Sequence, residues 1–167
     1  DCLLSRGLGD VYKRQGRCDV YLSDASTLAA SRAARAGKPD DFVILPERIN
    51  KSPLGPFVRQ DDANWAAIVR WTVNALVAAE ELGITAKNAD SQTQSTDAQV
   101  RRLLGVEPGI GKSFGLDESW AKNAIKAVGN YGEVWDRNLG AATPLKLDRG
   151  LNAQWNQGGL LYSPPFQ

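Results

Sequence analysis

Asp24 is the side chain in this sequence best placed to do chemistry. It follows the short apolar segment CDVYL and opens the run SDASTLAASRAARAG. A strand ending there and a helix starting there would put its carboxylate at the carboxyl end of a strand, where α/β folds bind ligands. A carboxylate at such a turn can accept hydrogen bonds from a cationic ligand group. The same position also suits a helix N-cap, which is worth about 1 kcal/mol to the helix, and periodicity alone favours that structural role. The two roles separate if Ser23 or Ser26 caps the helix and leaves Asp24 to face a ligand.

Other candidates lead to weaker chemistry. The stretch GVEPGIGKS, Gly105 to Ser113, invites a phosphate-loop reading. That motif needs a glycine four intervening residues before Gly111, Lys112 and Ser113, so that backbone amides curl around phosphates. Val106 occupies that position, and Gly105 lies one residue too early, so a plain loop is expected. Trp65, Trp71, Trp120, Trp135 and Trp155 could form a sugar or aromatic platform, but each falls in a helical segment, where packing is the commoner use of a large aromatic. All five are assigned to the core. The pairs Glu80-Glu81 and Asp61-Asp62 are adjacent in sequence, so on a helix they diverge. They read as solvated surface and capping residues, and no catalytic residue is assigned.

Composition narrows the classes further. The chain has 167 residues and no histidine, which removes imidazole bases, Ser-His and Cys-His pairs and imidazole-rich zinc sites. Neither a metal site nor a cofactor is expected. Lys and Arg total 20 against 19 Asp and Glu, so no net field favours nucleic acid or an anionic membrane. Hydrophobic content of 43% and charged content of 23% are ordinary for a globular protein. No apolar run approaches the about 18 residues of a membrane span.

The elements around Asp24 follow from punctuation and period. CDVYL reads as a strand, the run from Ser23 as a helix stopped by Gly37, and FVILP, Phe42 to Pro46, as a buried strand. Pro53, Gly55 and Pro56 then break regular structure in a crossover segment. The clearest helix runs from Asn64 to Leu82, with Gly83 as its stop. Shorter helices are expected over Asp97–Leu104, Asp117–Val128 and Tyr131–Leu139, each followed by glycine. One more helical turn is expected in LNAQWNQGGLLYSPPF, whose Ser163-Pro164-Pro165 ending suits either an extended recognition tail or an anchor over the core. Strands alternating with helices, then packed helices, favour an α/β class.

Residues Ser5 to Gln15, SRGLGDVYKRQ, resemble one reading frame through a transposon-end sequencing adapter; DVYKRQ corresponds to GAT GTG TAT AAG AGA CAG. The natural chain is therefore expected to start near Gly16, which leaves Cys18 as the one native cysteine. Cys18 reads as a small apolar strand residue.

From GRCDVYLSDAS onward, the sequence resembles the carboxyl-terminal part of periplasmic amino-acid-binding proteins, the solute receptors of ABC importers. The likeness continues through DDFVILPERINKSPLGPFVRQDDANWAAIVRWTVNALVAAEELGI, RRLLG, VGNYGEVWDRNLG and RGLNAQWNQGGLLYSPP, and these blocks look like the general L-amino-acid branch. The resemblance implies an incomplete type II periplasmic-binding fold. Residues 16–41 would end the second lobe, 42–60 would form the crossover or hinge, and 61–167 would complete the first lobe with a helical extension. It also implies that Asp24 binds the ligand's α-ammonium, that Ser23 reaches toward its side chain, and that Cys18 could pair with an upstream cysteine. The arginine and amides that hold the ligand's carboxylate would lie upstream, so the chain by itself is expected to bind poorly. An L-amino acid and an inner-membrane ABC permease are the implied partners of a periplasmic monomer. A dehydratase-like periplasmic enzyme or a ligand-sensing receptor domain are the alternatives on the same fold.

Overall fold

A computed structural model describes residues 15–16, 19–34 and 39–166. The adapter-like stretch, Cys18 and the helix stop expected at Gly37 lie outside the described residues, apart from Gln15. Among the described residues there are five α-helices: α1 (Ala25–Ala33), α2 (Ala63–Glu81), α3 (Ala98–Leu103), α4 (Trp120–Val128) and α5 (Tyr131–Asn138). Short 3₁₀ turns occur at Pro39–Asp41, Ser91–Gln94, Lys112–Phe114, Gly150–Asn152 and Trp155–Gln157.

The core is built on α2. Ala75, Ala78 and Ala79 recur at helical spacing and are buried against Val100, Leu103, Leu104, Ala121 and Ile125. Small side chains on that face let α3, α4 and α5 approach closely, while Trp120 and Phe166 pack over the edges. Asp62 starts α2 by accepting the Trp65 N–H at 2.8 Å. The helix ends in a Schellman motif: Gly83, at φ +67°, donates to Glu80 O, and Ile84 donates to Ala79 O. Ile84 is thereby folded back into the core.

α3 repeats the device. Gly105 (φ +72°) donates to Arg102 O and Val106 to Arg101 O. A side chain at Gly105 would also collide with the Glu118 carbonyl, 2.1 Å from where its Cβ would stand. α5 begins with a capping box in which Asn130 Oδ1 accepts from Glu133 N–H and Glu133 Oε2 accepts from Asn130 N–H, both at 2.9 Å. The Asn130 amide also donates to Ile84 O at 2.8 Å, which ties the exit of α2 to the entry of α5.

Where strands were expected at CDVYL and FVILP, the described residues Asp19 to Leu22 and Phe42 to Pro46 carry none. Among the described residues the β pairing is a single parallel bridge, Gln154 to Leu161. Val43 and Leu45 are exposed, whereas Phe42 and Ile44 are half-buried. This is the alternation of a strand without the ladder. A strand is stabilised by a ladder of hydrogen bonds from a neighbouring strand and by apolar cover on its faces, and among the described residues no such ladder forms here. Residues 42–59 carry neither helix nor strand, with a bend at Pro46, and Ile49, Leu54 and Phe57 are exposed to solvent.

Candidate functional site

Asp24 stands at the N-cap position of α1 with extended backbone (φ −59°, ψ 146°), and its carbonyl accepts the Leu28 N–H at 2.9 Å. Its backbone therefore opens the helix as the capping reading expects. Its carboxylate makes no capping hydrogen bond. Placed at the positive end of the helix dipole, that carboxylate is favoured without being committed to the backbone. Asp24 is half-buried and Ser23, just before it, is exposed. Chemically, this is a carboxylate whose lone pairs can accept hydrogen bonds from an ammonium group brought to the turn.

The glycine-rich loop after α3 has a different occupant from the one a phosphate loop would hold. The Gly109 and Lys112 N–H groups donate to the two carboxylate oxygens of Glu118, at 3.0 and 3.3 Å. The loop thus closes around an internal anion. Gly111 is buried, and a Cβ there would meet Asp117, Glu118 and Trp120 at 3.0 Å. Close packing accounts for its glycine.

The acidic pairs diverge, but Glu80 is not solvated. Its carboxylate forms a bidentate pair with Arg149, at 2.9 and 3.0 Å, and accepts from the Gln154 amide at 3.1 Å. The Arg149 guanidinium lies over the Tyr131 and Trp135 rings, 5.3 and 5.5 Å from their centroids. Glu81 points elsewhere and accepts from Trp155 Nε1 at 3.0 Å. Asp62 caps α2, as described, and Asp61 pairs with Arg59 at the surface.

The assignment of all five tryptophans to the core needs correction. Trp135 is buried and Trp71 and Trp120 are half-buried, but Trp65 is 51% and Trp155 57% exposed. Trp65 is the third residue of α2, and Trp155 opens the 3₁₀ turn Trp155–Gln157. The carboxyl-terminal tail acts as an anchor: Phe166 meets Trp71 edge-on at 5.0 Å and lies 6.3 Å from Trp120.

Two carboxyls are held below the usual carboxylate range, Asp90 by its hydrogen bond from Lys126 and Asp117 by the hydroxyl and backbone of Ser119. Both are exposed and structural in placement. Among the described residues no group of three His, Cys, Asp or Glu side chains is gathered for a metal ion, and no helix is long and apolar enough to cross a membrane.

Sequence reasoning missed Arg149, Gln154 and Asn130 as organisers of the helical body. The Asn130…Glu133 spacing is a legible capping-box signal. Arg149 carries no local signal, because its partner lies 69 residues away.

No protein-family model matches the chain. It is 58% identical over 153 residues to the glutamate/glutamine/aspartate/asparagine-binding protein of Rhodobacter capsulatus, a match covering 91% of this chain and 45% of that protein. It is 52% identical over 154 residues to the general L-amino acid-binding periplasmic protein of Rhizobium johnstonii, with the same coverage. Among solved structures, a periplasmic binding protein of an ABC transporter from Brucella ovis, with glutathione bound, superposes with a TM-score of 0.86 at 52% identity. That match covers 93% of this chain and 49% of the other. The chain thus spans about half the length of the curated relatives it matches.

Proposed function

Because this chain belongs by sequence to the amino-acid-binding proteins of ABC transporters, we propose that its parent captures L-amino acids in the periplasm and delivers them to an inner-membrane permease. Its fold is an incomplete type II periplasmic-binding fold, and its relatives are binding proteins rather than enzymes.

The observation that carries the reading is the half-buried Asp24 carboxylate, held at a helix start without a capping bond. Glutamate, glutamine, aspartate and asparagine, in the name of one relative, and glutathione, bound to another, share a free α-ammonium group. Asp24 would accept charge-assisted hydrogen bonds from that group and reject analogues lacking it. Ser23, exposed at the same turn, would contact the ligand beyond its α-carbon. Residues 16–41 would close one lobe, 42–60 would cross between lobes, and 61–167 would complete the other. Ligand contacting both lobes would then favour the closed arrangement.

The test is calorimetric titration of the full-length parent protein with L-glutamate, alongside its Asp24→Asn variant. Loss of one partner of a desolvated charge pair is expected to weaken binding by about 2–5 kcal/mol. Unchanged affinity in the variant would remove Asp24 from the site.

A further inference from the structure

The segment from Arg149 to Tyr162 is pinned from beneath with unusual thoroughness for a loop. Arg149 is held by Glu80 and by two aromatic rings, and it also donates to Asn152 O at 2.9 and 3.0 Å. Gln154 is 1% exposed and donates to Val77 O and to Glu80. The backbone closes on itself: Trp155 N–H donates to Leu161 O, Leu161 N–H to Ala153 O and Leu160 N–H to Leu151 O. Gly159 lies so close to Ala153 that no Cβ fits. Toward solvent this base holds four large apolar or aromatic side chains, beside the polar Asn152, Asn156 and Gln157. Leu151, Trp155, Leu160 and Tyr162 are all more than half exposed.

Rigid, exposed Trp and Tyr side chains are the composition of binding hot spots, because they lose little conformational freedom on association. One carboxylate gives this surface a sign. Glu81 and Ser163 join Trp155 and Tyr162 around a shallow depression of about 420 Å³, and the Trp155 indole N–H is fixed on Glu81 Oε1 at 3.0 Å. An anion beside two aromatic side chains complements a planar cation, which can lie on a ring face while pairing with the carboxylate.

We propose that this depression receives an arginine side chain of a partner protein, with Leu151 and Leu160 packing against apolar residues flanking that arginine. Amino-acid capture at Asp24 involves none of these residues, so failure of either proposal leaves the other standing.

The test uses the whole chain and follows the Trp155 indole N–H by ¹H–¹⁵N NMR, assigned through Trp155→Phe. N-acetyl-arginine amide is the probe, and its uncharged isostere N-acetyl-citrulline amide is the control. The Trp155 signal is expected to shift saturably with the arginine probe at millimolar concentration and not with citrulline. Glu81→Gln should weaken the response about fivefold, as expected for loss of an exposed ion pair backed by a ring. Trp65, similarly exposed, supplies an internal reference that should not saturate. A linear response, equal shifts for both probes, or an unchanged response in Glu81→Gln would overturn the proposal. Trp155-dependent self-association, or Trp155-dependent binding to phosphatidylcholine vesicles without a response to arginine, would overturn it in favour of a second copy or a lipid surface.

Discussion

Replacing Arg149 by methionine should unfold the helical body more readily than any single surface change. The substitution keeps an unbranched apolar stem but removes two parallel bonds to Glu80, both bonds to Asn152 O and the stacking over Tyr131 and Trp135. It also leaves the Glu80 carboxylate with the Gln154 amide as its remaining side-chain hydrogen-bond donor among the described residues. Removing one partner of a fully buried pair costs about 3–5 kcal/mol. The side chains here are 20% and 15% exposed, so water relieves part of that penalty and about 2–4 kcal/mol is expected. Urea unfolding followed by far-UV circular dichroism should show the midpoint falling by about 1–2 M with the slope unchanged. A double-mutant cycle with Glu80→Gln isolates the pair, and a coupling of at least about 1.5 kcal/mol is expected for charge-assisted bonds in this setting. Loss of less than about 0.5 kcal/mol in Arg149→Met, or additive single changes, would refute the reasoning.

Three other outcomes follow from the packing and the charges. Phe166→Ala, which removes the ring between Trp71 and Trp120, should cost about 1.5–3 kcal/mol, below the range for a fully buried phenylalanine, and should alter tryptophan fluorescence; an unchanged spectrum and midpoint would mean that the tail is not an anchor. Gly105→Ala combines a left-handed backbone with a collision against Glu118 O and should cost more than about 2 kcal/mol in urea unfolding. Ser119→Ala should raise the Asp117 pKa toward its ordinary value, read by carboxyl ¹³C titration, because the Ser119 hydroxyl is the main cause of its lowering. Since the folded pKa is the lower one, the stabilising contribution of these bonds is present above the unfolded pKa and disappears as pH falls through the folded value.

The helices were legible because their signals are local. The Asn64–Leu82 expectation differs by one residue at each end from α2, since alanines and aliphatics recur at helical spacing and Asp62 and Gly83 punctuate them. The stop at Gly105 worked for the same reason, as did the start of α5 at Tyr131. Residues 117–119 were expected in α4 but form a turn before it, because Asp117 spends its side chain on Ser119 rather than on the next turn of helix. FVILP shows the limit on the other side. Its alternation is that of a strand, yet pairing depends on a neighbour whose identity no local pattern encodes. At the candidate site the type and position of Asp24 were legible, whereas its uncommitted carboxylate became visible only in the geometry. The Glu80–Arg149–Gln154 cluster could not be read at all, because its members are brought together across about 70 residues by the return of the chain onto α2.

The account turns on Asp24 recognising an α-ammonium group, and a paired titration of the full-length parent tests this most directly. L-Glutamate and glutarate, which differ by that group, are titrated against the native protein and Asp24→Asn. The native protein should prefer glutamate by more than about 2 kcal/mol, and the variant should lose most of that preference. An equal preference in both proteins would contradict the assignment.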